Sequence, residues 1–250
     1  MERLARLVGV FVVCCTVAAA ATAAEVRVAV AANFSAPMKR IAAAFEADTL
    51  HKVALIDGAT GVFYAQIKSG APFDVFLAAD EETPARLERE GFALPGMFTY
   101  ATGRLVLWGS TPGVVDEKGE VLRRAGRGHI AIANPAVAPY GAAAMEVMTR
   151  LGLIEALRPR FVQGENIAQT YLYVATGNVE MGFVALSQVM VEGQIARGSG
   201  WVIPSNLHSP IRQAAVVLAR ARDNAGAMAL ASYLRGDKAK AIIRAFGYEF

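Results

Sequence analysis

The sequence predicts an α/β fold, and three observations carry that expectation. Strand-like and helix-like patterns alternate through most of the 250 residues. Four of the strand-to-helix junctions share one composition, small and hydroxyl-bearing. No low-complexity tract interrupts the alternation.

The elements follow in order along the chain. Val26, Val28 and Val30 alternate as in a strand. Met38, Ile41, Ala42 and Phe45 then recur at helical spacing, with Ser35 placed as N-cap and Pro37 in the first turn. KVALI (52–56) reads as the second strand and VFYAQIKSG (62–70) as a short helix ending on Gly70. DVFLAAD (74–80) is a strand. TPARLEREG (83–91) takes Thr83 as cap, Pro84 as the first helical residue and Gly91 as stop. Residues 92–103 read as loop and RLVLW (104–108) as a new strand. HIAIA (129–133) is a strand, and GAAAMEVMTRLG (141–152) a helix stopped by Gly152. RFVQ (160–163), IAQTYLYVATG (167–177) and EMGFVAL (180–186) continue as strand, helix and strand. After WVIP (201–204) comes QAAVVLA (213–219), and two helices at 225–235 and 237–246 close the chain. No internal repeat is visible.

The length allows one large domain or two lobes of about 100 residues each. The formal net charge of +3 is small for this size, and no Lys/Arg block alternates with aromatics, which argues against a nucleic-acid partner. Residues 1–24 have the layout of a secretory signal: Arg3 and Arg6, then the apolar run LVGVFVVCCTVAAAA, then small residues for cleavage after Ala23 or Ala24. Both cysteines, Cys14 and Cys15, fall inside that run. Cys14, rather than a small residue, precedes Cys15, which argues against a lipid anchor. The chain expected after cleavage has no cysteine, hence no disulfide framework and no thiol nucleophile.

The four junctions are AANFSAP (31–37), DGATGVF (57–63), NPAVAPYGAA (134–143) and QGENIAQ (163–169), and none contains Lys, Arg or His. In open α/β sheets, ligands bind beyond the carboxyl ends of the strands, where such turns lie. A helix start presents N–H groups without intrahelical partners and about half a positive charge. Four converging starts idealise to about +2, which suits a dianion with no ionic side chain. Asn33, Thr60 and Tyr140 have side chains able to donate, and the backbone N–H groups of Thr60 and Ile167 add to them. The plainer reading stays open beside this one, since Asn, Ser and Thr before helices are ordinary caps. Asp57 and Glu165 would have to point away from such a site.

Other chemistries find less support. A secreted hydrolase would need a nucleophile elbow, and no G-x-S-x-G is present. His51, His129 and His208 are isolated and lack the H-x-x-x-H spacing of a helical metal site. A binder of small organic anions would use an arginine to clasp a carboxylate; the junctions have none, although Arg104 and Arg212 near the crossovers keep that alternative open. The aromatic pairs Tyr171–Tyr173 and Phe63–Tyr64, and Trp108 and Trp201, read as packing residues.

AANFSAPMKRIAAAFE, GATGVFYAQIKSGAPFDVFLAAD, IANPAVAPYGAAAMEVMTRLG, ENIAQTYLYVATGNVEMGFVALSQV and the closing AIIRAFGYEF resemble the molybdate-binding periplasmic proteins of ABC transporters, in the same order from Val26 to Phe250. The resemblance implies a two-lobed periplasmic-binding-protein fold of type II, with mixed, mostly parallel sheets, flanking helices and two crossover strands. It implies lobe 1 over 25–103 plus 213–250 and lobe 2 over 104–212. It further implies a periplasmic, monomeric, non-enzymatic protein without a cofactor, holding molybdate or tungstate for a membrane permease. The family's contacts, carried over, fall on Asn33, Thr60, Tyr140 and the Ile167 N–H, which touch the metalate through its oxygens and never the metal. In members with a small residue in the third junction, a tyrosine after a GIVY-like strand supplies a hydroxyl. Here that position is Ala185, and Tyr140 stands as the replacement.

Overall fold

The computed structural model describes residues 23–124, 128–191 and 193–250. The expected export signal lies outside the described residues, apart from Ala23 and Ala24. The first half of the fold runs β1 (Glu25–Ala31), α1 (Ser35–Asp48), β2 (Lys52–Gly58), α2 (Thr60–Lys68), β3 (Val75–Leu77), α3 (Glu82–Arg89) and β4 (Phe98–Gly103). Strand β1 is buried on both faces, as a strand inside a parallel sheet must be. Val26, Val28 and Val30 pack against Phe34, Met38, Ile41 and Phe45 of the first junction and α1, while Ala29 meets Phe63 and Ile67 of α2 on the other side.

The chain then passes through Arg104 into a second sheet: β5 (Leu105–Gly109), β6 (Ile130–Ala133), α4 (Pro139–Arg150), α5 (Ile154–Leu157), β7 (Phe161–Gly164), α6 (Ile167–Ala175), β8 (Met181–Ala185), the short hairpin strands β9 (Met190–Val191) and β10 (Gln194–Ile195), and β11 (Ser199–Val202). It returns through β12 (Ile211–Val217), α7 (Ala225–Arg235) and α8 (Asp237–Ala245) to the first sheet. Trp108 and Trp201 are buried in the second half, where Trp108 stacks on Tyr171.

The two five-stranded sheets have the orders β2-β1-β3-β12-β4 and β7-β6-β8-β5-β11. These are one arrangement used twice. In each, a central strand pairs in parallel with two neighbours, β1 with β2 and β3, β6 with β7 and β8. In each, an antiparallel strand arriving from the other half follows, β12 beside β3 and β5 beside β8. The carboxyl ends of β1, β2, β6 and β7 are the four junctions.

The observed elements correct several local expectations. Residues 98–103 form β4 rather than loop, because Tyr100 and Ala101 are buried and the segment pairs with β12, a partner more than 100 residues away. Ser35 is not a cap. A 3-10 turn, Ala32–Phe34, joins β1 to α1, and Ser35 is already helical with Phe34 at the cap position. Thr83 is not a cap either: α3 opens at Glu82, and the Asp80 carboxylate accepts the Thr83 N–H (2.8 Å) and hydroxyl (3.1 Å). The strand expected over 74–80 is confined to β3, and α2 starts two residues earlier than predicted, at Thr60.

Close approach fixes the start of α4 against the end of β6. A Cβ on Gly141 would lie 2.2 Å from the Ala133 carbonyl oxygen, a backbone atom with nowhere to yield. Gly141→Ala is therefore expected to destabilise the fold by about 1–3 kcal/mol, the usual range for overpacking. Urea unfolding checks this, and an unchanged midpoint would show that α4 can shift without cost.

Candidate anion-binding site

One small cavity between the sheets is lined by residues from all four junctions: Asn33, Thr60, Tyr140 and Ile167, with Ala59, Pro139 and Asn166 among their neighbours. It is narrow, with no room for an extended molecule. None of its lining residues is Asp, Glu, Lys, Arg or His. Asp57 and Glu165, each next in sequence to a lining residue, are exposed.

Each element aims its donors in a way that follows from its local sequence. Thr60 is the first residue of α2, so its N–H has no intrahelical acceptor. Its hydroxyl oxygen accepts the Ala79 N–H (3.0 Å), which leaves the O–H proton free to donate. In α6, the Asn166 side chain caps the helix and accepts from the N–H groups of Ala168 (2.9 Å) and Gln169 (3.0 Å). The N–H of Ile167, the first helical residue, is left for the cavity. Pro139 opens α4 with its fixed φ and puts Tyr140, 1% exposed, at the second helical position.

Asn33 behaves differently from the side-chain donor that its type allows. Its amide nitrogen donates to Gln213 Oε1 (2.8 Å) and to the Tyr248 hydroxyl (3.0 Å). Both amide protons are thus taken, and Asn33 can serve the cavity through its backbone N–H, at the start of the 3-10 turn. Around it runs a buried polar network. Tyr248 donates to the Asn33 carbonyl (2.8 Å), Ser187 donates to the same carbonyl (3.0 Å), and Gln213 Nε2 donates to the Tyr140 hydroxyl (3.1 Å). Ala185, where a tyrosine was conceivable, is fully buried, and the hydroxyl at this end of β8 belongs to Ser187 two residues on.

Burial pushes the Tyr140 and Tyr100 hydroxyls well above the ordinary phenol range, and Tyr248 up to about 12, since a phenolate there would lose its hydration. All three stay protonated, as donors, at neutral pH. No group lining the cavity titrates near pH 7.

The halves also touch directly. Gly61 N–H at the second position of α2 donates to the Val137 carbonyl of the third junction (2.9 Å), and a Cβ on Gly61 would lie 3.0 Å from Val137 Cα. The histidines take no part: His51 Nδ1 accepts the Ala24 N–H and its ring stacks on Phe45, His129 is exposed, and His208 is held against the Ser209 carbonyl.

Ser187, Gln213, Tyr248 and the capping role of Asn166 were not anticipated. Asn before IAQ is a recognisable N-cap pattern, and a lone glutamine in the apolar strand QAAVVLA is an anomaly that marks a buried partner. Nothing local distinguishes Tyr248.

A family model described as "Bacterial extracellular solute-binding protein" matches residues 26–249. The molybdate-binding protein ModA of Azotobacter vinelandii is 57% identical over 232 residues, covering 92% of each chain. ModA of Rhodobacter capsulatus is 50% identical over 230 residues, covering 91% of this chain and 89% of its own. The solved Azotobacter vinelandii periplasmic molybdate-binding protein superposes with a TM-score of 0.87 at 43% identity, over 90% of this chain and 99% of its own.

The capping role of Asn166 gives a direct test. Asn166→Ala removes both acceptor bonds at the start of α6 and is expected to cost about 1 kcal/mol of stability. Denaturant unfolding with an unchanged midpoint would show that the α6 N-terminus is held by other means.

Proposed function

The chain belongs to the bacterial extracellular solute-binding protein family, and we propose that it captures molybdate between its two halves and delivers it to an ABC permease. The observation that carries this is the cavity itself: four junctions from two sheets converge on it, with hydroxyl and N–H donors and no ionic side chain. Charged tetrahedral oxygens accept such donors strongly. The helix starts supply the compensating positive end of their dipoles.

In this reading Thr60 donates its hydroxyl and N–H, Tyr140 its hydroxyl, and Ile167 and Asn33 their backbone N–H groups, all to oxygens of the metalate. Tungstate, of nearly the same size and charge, binds the same way. Sulfate carries the same charge on a smaller frame, so its exclusion falls to the fixed reach of the donors. The lobes are 25–103 with 213–250, and 104–212, and they close about the two crossings. The closed form is the one a permease recognises. The protein acts in the periplasm as a monomer, without cofactor and without catalysis. The small cavity and the absence of arginine from its lining tell against an organic anion.

The test is isothermal titration of residues 25–250 with molybdate, tungstate and sulfate. One-to-one binding of the first two and none of the third is the expected result. No heat from any of them, with protein shown to be folded and ligand-free, would sink the proposal. Because the site's only ionisable hydroxyls have raised pKa values, affinity should also stay flat between about pH 6 and pH 9. A steep pH dependence in that window would mean an ionisable group contacts the ligand. Tyr140→Phe should weaken molybdate by about 1–3 kcal/mol, the value of a buried bond to a charged oxygen.

A further inference from the structure

Gln213 lines no part of the cavity, is fully buried in β12, and sits where that strand crosses from one half of the molecule to the other. The pairing of β12 with β4 shifts register between Gln213 and Ala214, so consecutive residues 213–216 are all buried. A buried primary amide in an apolar strand is costly unless every polar atom has a partner. Here the partners are specific, and they have a direction.

The amide oxygen of Gln213 accepts from Asn33 Nδ2 at 2.8 Å and lies 2.9 Å from the Tyr100 hydroxyl, whose single proton it shares with the Ala78 carbonyl at 3.0 Å. An amide nitrogen can only donate, so Asn33 fixes which end of Gln213 is oxygen. The other end, Nε2, must then face Tyr140, and it donates to that hydroxyl at 3.1 Å. A hydroxyl that accepts on that side has its own proton turned elsewhere. Tyr248 already accepts from Asn33 Nδ2 and gives its proton to the Asn33 carbonyl. The Tyr140 proton then has two acceptors to choose between, the Tyr248 oxygen across the network and an anion in the cavity that Tyr140 lines, and a charged oxygen is the stronger of the two.

We propose that Gln213 is a positioning residue for ligand capture: it orients the Tyr140 hydroxyl so that its proton is presented to the bound oxyanion. The inference rests on the molybdate reading of the cavity. It also gives Gly103 a purpose, because a Cβ there would lie 2.0 Å from the Tyr140 hydroxyl and 2.5 Å from Gln213 Nε2. The glycine makes room for the bond.

The experiment is a double-mutant cycle on molybdate affinity, read by titration with the wild type, Tyr140→Phe, Gln213→Met and the double variant. Thermal melting of each ligand-free protein checks that it is folded. Tyr140→Phe and Gln213→Met should each weaken binding about 10-fold to 100-fold, and the double variant should be no weaker than Tyr140→Phe alone. A purely structural role for Gln213 predicts instead that the two losses multiply, and that result overturns the inference. So does an unchanged affinity in either single variant. If wild type binds no molybdate, the functional reading falls, and this inference with it; if wild type binds and the cycle is multiplicative, only the inference falls. Should Gln213→Met fail to fold, Gln213→Glu keeps the volume and goes through the same cycle. Its introduced carboxylate can only accept when ionised, so it draws the Tyr140 proton away from the cavity. The expected loss at pH 8 is then largely confined to the background that retains the tyrosine hydroxyl. An equal loss in the Tyr140→Phe background would reduce Gln213→Glu to a charge effect and overturn the inference.

Discussion

A doubly charged ion taken out of water needs its hydration replaced by donors that are already in place, and here none of the replacements is a cation. That constraint reaches back through the whole fold. A single helix start contributes about half a charge over its first turn, so several must be aimed at one point, and they must come from more than one direction. A parallel sheet supplies two at once, because adjacent strands lie about 4.8 Å apart and end on the same edge. Strands β1 and β2 deliver Asn33 and Thr60 as one such pair, and β6 and β7 deliver Tyr140 and Ile167 as the other. Two sheets with the same strand order, facing each other, are a direct way to bring two pairs together.

Close approach is the second demand, and it accounts for the small residues at the junctions better than flexibility does. Gly58, Gly61, Gly103 and Gly141 all have ordinary φ angles, yet a Cβ at each would stand 3.0 Å or less from a neighbouring atom. Gly61 brings the halves within backbone hydrogen-bonding distance at Val137, Gly141 seats α4 on β6, and Gly103 admits the Tyr140 hydroxyl. The glycines with positive φ, such as Gly70, Gly91 and Gly152, serve another purpose and simply end helices in the left-handed conformation.

This division explains what could be read from the chain. The α/β class was legible because periodicity is local: the valines of β1 and the apolar spacing of α1 lie within 20 residues. The four junctions were legible for the same reason, as a composition repeated at strand ends. Strand β4 was not, since FTYATG is a strand only because β12 pairs with it. The duplication of topology was invisible too, because the halves share strand order while their junctions and helices differ in length and sequence. Asn33 was identified by position, but its side chain is claimed by Gln213 and Tyr248, 180 and 215 residues away. No local rule could have assigned those bonds.

The separation of charge from donors is the last consequence. Carboxylates occur close to the site in sequence, at Asp57 and Glu165, and in space, where Asp80, Glu81, Glu82 and Glu146 line a larger groove that shares Ala79, Ala138 and Pro139 with the cavity. Asp57, Glu82 and Glu165 are exposed, and hydration and salt screening over about 8–10 Å keep such carboxylates from cancelling oriented dipoles. Asp80 is partly buried, and its carboxylate is occupied by the Thr83 N–H and hydroxyl. A buried lysine or arginine at the centre would strengthen the attraction but would hold any anion of the right charge, and would lose orientation with each rotation of a long side chain. Neutral donors locked by second partners have neither property. The Thr60 hydroxyl is set by the Ala79 N–H, and the Tyr140 hydroxyl by Gln213, itself set by Asn33. The discrimination such a site can make is then one of distances between fixed protons, and its accuracy depends on residues that never touch the ligand.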